Sequence, residues 1–175
     1  MLVEIFTDGS TLPKNPGRGG AGAVVLLDNE ELYALGKNLG YSTNNSSELN
    51  AIKIALECFL ETTPVLGTKV IIYSDSDYSL NCVSGQMKAN KHRELVSEIR
   101  SMLEKLPEVK LYWIRSEHSL KSKKGLKDEH RRLFFWNKAV DKIAKKSARM
   151  QDDYFYSKKF GREEFIKEFT KVENT

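Results

Sequence analysis

Cysteine is scarce in this 175-residue chain, with only Cys58 and Cys82 and no C-x-x-C pair. That excludes a disulfide scaffold and a zinc finger, and it fits a reducing, cytoplasmic compartment. Long hydrophobic runs are also missing. The longest, such as Ala23 to Leu27, are four or five residues, which excludes a membrane span. The start, Met-Leu-Val-Glu-Ile-Phe, has no basic segment and no long apolar segment, so no signal peptide is expected. Internal repeats, low-complexity tracts and phosphate-loop or cofactor fingerprints are absent too, which removes solenoids and the common nucleotide-binding domains.

What is present is an ordinary globular composition, 40% hydrophobic and 30% charged. The length suits one domain with a short appendage and needs no staple to build a core. The charge is uneven. Residues 118–149 carry 11 Lys/Arg against 3 acids, a local charge of +8, and the rest of the chain carries 17 against 21, or −4. A basic block on a slightly acidic body points to an anionic partner, nucleic acid first, although a solvated lysine-rich helix face accounts for such a run about as well.

Residues 2–7, 23–27 and 31–39 read as three strands with short, antiparallel connections, and a Pro/Gly-rich loop separates the first two. Residues 46–61 carry one apolar stripe (Leu49, Ile52, Ala55, Leu56, Phe59, Leu60) and read as a helix with Asn45 as its N-cap. Residues 69–74 form a buried strand, 77–84 a short helix stopped by Gly85, 91–105 an amphipathic helix and 109–115 a fifth strand. Residues 119–133 read as a basic loop and 135–148 as a helix. Beyond 149, an aromatic stretch leads into a short amphipathic helix, read as a packed C-terminal extension. The order predicts an α/β fold with a mixed five-stranded sheet, three antiparallel N-terminal strands and helices on both faces.

Four carboxylates fall at informative places. Asp8 follows the first strand and Asp75 the fourth, and sites in open α/β sheets form beyond strand carboxyl ends. Glu48 sits in the first turn of the first long helix. Asp141 lies one turn beyond Asn137 on the last long helix. Converging carboxylates repel unless a cation lies between them, and oxygen donors suit Mg²⁺ or Mn²⁺ rather than zinc. Two such ions about 3.5–4 Å apart can activate water and stabilise the leaving oxygen in phosphodiester cleavage. Each acid also has a plainer reading. Asp8-Gly9 and Asp75-Ser76 are possible turn formers, Glu48 a capping glutamate three residues after Asn45, and Asp141 an ordinary surface acid. Their joint placement speaks against those readings.

Several segments resemble type 1 ribonuclease H. They are Thr7-Asp8-Gly9-Ser10, Asn15-Pro16-Gly17 with glycines at 19, 20 and 22, Thr43-Asn44-Asn45-x-x-Glu48-Leu49, Ser74-Asp75-Ser76 and Asn137-x-x-x-Asp141-x-Ile143-Ala144. The resemblance spans residues 1–148, which it marks as a ribonuclease H-like catalytic domain, with 149–175 as the extension. It implies a metal-dependent endoribonuclease that cuts the RNA strand of RNA/DNA hybrids to 5′-phosphate and 3′-hydroxyl products. Asp8, Glu48, Asp75 and Asp141 are implied to hold two Mg²⁺ ions, with Mn²⁺ as substitute. It also implies that Asn15, Asn44 and Asn45 contact the hybrid. Amides suit that role because they can donate to the 2′-OH. Ser10, Ser76 and Asn137 join them as substrate-binding candidates.

The family's loop histidine follows Trp-Val-x-Gly-His. Here Trp113-Ile114-Arg115-Ser116-Glu117-His118 places it one residue late and without the glycine. His118 is the candidate for proton transfer or product release, with His130 as runner-up. The Trp- and Lys-rich protrusion of the bacterial enzymes is missing from 79–106. The basic 119–133 segment, with Lys121, Lys123 and Lys124, is expected to grip phosphate in its place. Competing readings are a nuclease of the same fold acting on DNA junctions or double-stranded RNA, and a non-catalytic hybrid-binding module. The expected partner is an RNA/DNA hybrid, with no membrane, a monomer favoured, and a protein partner conceivable through the tail.

Overall fold

The computed structural model describes residues 1–115 and 128–174. Its strands are β1 (Leu2–Leu12), β2 (Gly17–Leu27), β3 (Glu31–Ser42), β4 (Lys69–Ser74), β5 (Val109–Trp113) and β6 (Phe155–Gly161). Its helices are α1 (Asn44–Thr62), α2 (Asp77–Ser84), α3 (Arg93–Leu103), α4 (Asp128–Arg149) and α5 (Arg162–Glu173). One mixed sheet runs β5-β4-β1-β2-β3-β6. The pairs β1–β4 and β4–β5 are parallel, and β1–β2, β2–β3 and β3–β6 are antiparallel.

Strand alternation sorts the core into two layers. Val3, Ile5, Ala23 and Val25 pack with α1, α2 and α3 on one face. Phe6, Val24 and Leu26 pack with Leu133, Trp136 and Val140 of α4 and Phe165 of α5 on the other. The α/β class, the antiparallel N-terminal strands and the helices on both faces are therefore as expected.

The sheet has six strands rather than five. Residues 155–161, read only as an aromatic stretch, pair with β3 in the register Leu35↔Ser157. The alternation there is blurred by Lys158 and Lys159, whose exposure is typical of an edge strand. The Pro/Gly-rich stretch is mostly strand. β1 continues to Leu12 and β2 starts at Gly17. A Cβ at Gly20 would lie 2.0 Å from the Ala144 carbonyl oxygen, and one at Gly22 2.5 Å from that of Val140. The glycines thus serve close approach of α4 to the sheet, not a turn.

Helix α4 begins at Asp128, so 128–133 is helical and not loop. Its start is pinned by Arg132, which forms a forked ion pair with Glu4 of β1, and the Tyr73 hydroxyl also donates to Glu4. Its C-terminal carbonyls accept from Asn38 and Arg18: Asn38 Nδ2 donates to Ser147 at 3.0 Å and Arg18 Nη2 to Met150 at 2.6 Å. Among the described residues no helix is long and apolar enough to cross a membrane.

Candidate active site

The parallel β1–β4 ladder ends at the pair Thr7↔Ser74. The next residues of the two strands are Asp8 and Asp75. β1 runs on beside β2, whereas β4 stops and the chain turns into α2, so the two carboxylates meet where the strands part company. Asp8 thus sits inside a strand rather than after one, and Asp8-Gly9 is not a turn. By alternation Asp8 shares the face of Phe6, toward α4, and Gly9 points toward α1.

Gly9 is what lets α1 in. A Cβ there would lie 2.3 Å from the Glu48 amide nitrogen and from the Ser47 carbonyl carbon. The first turns of α1 therefore rest directly on the bare backbone of β1. Carboxylate oxygens of Asp8, Glu48 and Asp75 fall within 4.8 Å of one another. The capping reading of Glu48 fails, because the N-cap is Thr43, whose side chain accepts from the Ser46 N–H, and not Asn45.

The group is electrostatically strained. Burial, then the Glu48 and Asp75 charges, hold the Asp8 carboxyl well above its ordinary range. Burial and Asp75 push Glu48 up to about 8. Burial and the charge of Asp141 raise Asp75. Asp141, on α4, stands outside the tight group but within electrostatic reach of it. Its Oδ2 is paired with Lys145 Nζ at 2.9 Å, one turn further along. Glu48 Oε2 is buried with no hydrogen-bond partner among the described residues. A buried acceptor without a donor, among oxygen-only ligands, fits a hard divalent cation.

The amide candidates gather at the N-terminus of α1. The Asn44 N–H donates to Asn15 Oδ1 at 3.0 Å, and the Thr11 hydroxyl donates to Asn44 Oδ1. Asn15, Asn44 and Asn45 are exposed there. Ser10 is buried in β1 opposite Gly20. Ser76 is the N-cap of α2, accepting from the Ser79 N–H at 3.2 Å and donating to Ser79 Oγ at 2.8 Å. Asn137 has its Oδ1 buried without a partner among the described residues. His118, Lys121, Lys123 and Lys124 lie outside the described residues. His130 is half-buried in the first turn of α4.

Sequence reading missed Thr11 and Lys145, and it gave the capping role of Thr43 to Asn45. Lys145 carried a usable signal, the i,i+4 spacing from Asp141. Thr11 carried none, because its bond to Asn44 arises only when β1 and α1 meet, whereas Thr43 caps α1 locally and its residue type was itself a capping signal.

A sequence model of the family described as RNase H matches residues 2–149. A protein of Haemophilus influenzae named ribonuclease HI is 44% identical over 82 residues, 47% of this chain and 49% of that protein. The chain thus spans about half the length of the first curated relatives it matches. A ribonuclease H of Neorickettsia sennetsu is 31% identical over 149 residues, 82% of this chain and 91% of that one. Among solved structures, RNase H1 of Halobacterium salinarum superposes with a TM-score of 0.65 at 19% identity, covering 84% of this chain and 97% of that one. LC11-RNase H1, solved in complex with an RNA/DNA hybrid, gives 0.65 at 20% identity, covering 83% and 96%. At these identities the structural likeness is one of fold.

Proposed function

Since the chain belongs to the RNase H family, we propose that it is a metal-dependent endoribonuclease that hydrolyses the RNA strand of RNA/DNA hybrids. The observation that carries this reading is the meeting of Asp8, Glu48 and Asp75 with an unpartnered buried oxygen on Glu48. Two Mg²⁺ ions, or Mn²⁺ in their place, would supply an activated water and charge stabilisation at the leaving oxygen. Asp8 from β1 and Asp75 from the end of β4 would hold the ions, and Glu48 would hold one from α1. Asp141 completes the second position, with Lys145 keeping its carboxylate in place. The exposed amides of Asn15, Asn44 and Asn45 face the strand, where a 2′-OH separates RNA from DNA.

Water oxygen bonds to phosphorus as the P–O3′ bond breaks, which leaves a 3′-hydroxyl and a 5′-phosphate. Ser10, Ser76 and Asn137 support the bound strand, His118 handles the proton or product release, and Lys121, Lys123 and Lys124 neutralise phosphates. Residues 1–148 form the catalytic part, with 149–175 as an extension open to a protein partner. The two free cysteines favour a reducing, cytoplasmic setting and the enzyme acts as a monomer.

The test is cleavage of an end-labelled hybrid with Mg²⁺, beside single-stranded RNA, double-stranded RNA and double-stranded DNA. Metal-dependent loss of the hybrid's RNA strand alone is expected. Cutting of another substrate moves the protein to a sister nuclease class, and binding without cutting makes it a hybrid-binding module.

A further inference from the structure

We propose that Trp113 and Ser74 are positioning residues that fix the peptide plane after Asp75 and thereby aim its carboxylate. The inference rests on the reading of Asp75 as a metal ligand. That plane carries the Asp75 carbonyl on one side and the Ser76 N–H on the other. Trp113 Nε1 donates to the Asp75 carbonyl oxygen at 3.1 Å. The Ser76 N–H donates to Ser74 Oγ at 3.0 Å. Both polar groups of one peptide unit are therefore held by side chains.

The location makes this consequential. β4 ends at Ser74, and the last bond of its ladder with β5 runs from the Ile114 N–H to the Ser74 carbonyl at 2.8 Å. Asp75 lies just beyond the last paired residue of β4 and before the first residue of α2, and its carbonyl oxygen takes the Trp113 indole as donor. The register Ser74↔Trp113 sets the indole alongside that gap, and the ring extends the ladder by one bond. Ser74 is fully buried, so its hydroxyl cannot turn to water. Trp113 is 46% exposed, with the Arg115 guanidinium 6.0 Å above its ring. Its polar edge is thus engaged while one face stays open. Between the fixed ends of β4 and α2, turning the Asp75–Ser76 plane requires compensating changes in φ and ψ of Asp75, and the change in φ swings its carboxylate relative to those of Asp8 and Glu48, where cation geometry tolerates little displacement.

The experiment compares wild type, Trp113→Phe, Ser74→Ala and Asp75→Asn for hybrid cleavage across a Mg²⁺ titration, with KM for the hybrid and the melting temperature of each. Trp113→Phe keeps the ring and removes the donor. Each positioning variant is expected to raise the half-activating Mg²⁺ concentration roughly three- to ten-fold, the worth of one net hydrogen bond, with KM for the hybrid unchanged. A Mg²⁺ midpoint equal to wild type in both variants overturns the proposal. So does a raised KM at an unchanged midpoint, which would make the ring a stacking platform for the substrate.

Asp75→Asn separates the two levels. If it cleaves like wild type, the metal-ligand reading itself fails. If it is inert while the positioning variants behave as wild type, only this inference fails. Should a variant not fold, the wild-type protein decides by NMR. With two tryptophans in the chain, the Trp113 indole N–H is expected to shift on Mg²⁺ addition while that of the buried Trp136 stays put. An unmoved Trp113 signal overturns the proposal.

Discussion

Replacing Gly9 with alanine puts a methyl group where the first turns of α1 already lie. The new Cβ would stand 2.3 Å from the Glu48 nitrogen and the Ser47 carbonyl carbon, both backbone atoms. Real Cβ contacts essentially never fall below 3.0 Å, so α1 must retreat by at least the difference, about 0.7 Å. No flexible side chain can absorb the movement, and Glu48 travels with the helix. Overpacking of this kind costs about 1–3 kcal/mol, which lowers the melting temperature of a chain this size by several degrees. The larger effect is on turnover, because misplacing a positioned group by about 1 Å can cost as much as 100-fold in rate. The assay is hybrid cleavage at saturating Mg²⁺ beside a thermal melt. Gly161→Ala serves as control, since nothing lies within 4 Å of a Cβ at that site. Wild-type turnover and melting temperature in Gly9→Ala would refute the claim that α1 is seated on the bare strand.

The metal-free protein should lose stability as pH rises. The carboxyls of Asp8, Glu48 and Asp75 are held above their ordinary values, so the unfolded chain releases its protons first, and stability drains away from about pH 4.5 up to the Glu48 value of about 8. Melting temperatures in EDTA should fall across that window, recover with Mg²⁺ and fall less in Asp75→Asn; a flat profile in EDTA would count against the strained cluster. Arg132→Ala should cost about 3–5 kcal/mol by denaturant unfolding, because Glu4, only 4% exposed, loses the cation it is paired with. Glu4→Leu with Arg132→Met should cost much less, and equal losses would contradict the argument. Removing Lys121, Lys123, Lys124 and Lys127 should flatten the salt dependence of hybrid binding by a slope of roughly 0.9 per lost phosphate contact, and an unchanged slope would dispose of their proposed role.

The carboxylates were legible because chain order encodes their meeting. Two strands, one carrying Asp8 within it and the other followed directly by Asp75, are separated by an antiparallel excursion and a helix and brought side by side by one parallel pairing. Glu48 was legible as a position but not as a contact. The atom that admits α1, the absent Cβ of Gly9, carries no periodicity and reads as a turn signal. The same blindness turned the glycines of β2 into loop, although they mark where α4 presses on the sheet. β6 escaped because an edge strand built on lysines does not alternate cleanly. The anchors of α4 escaped for a different reason. Arg18, Asn38 and Glu4 meet it across more than a hundred residues of chain, and only Glu4, a charge inside the apolar run Leu-Val-Glu-Ile-Phe, gave a local hint. Local rules see caps and stripes; they do not see which distant backbone group still needs a donor.

The most direct test of the central claim, that these carboxylates gather a cation to cut RNA, is Asp75→Asn assayed for Mg²⁺-dependent cleavage of a hybrid and for melting in EDTA in the same preparation. The account predicts no turnover together with a melting temperature above that of wild type, since one of three mutually repelling carboxylates has become a neutral amide. Appreciable cleavage by that variant, or inactivity accompanied by a lower melting temperature in EDTA, would contradict it.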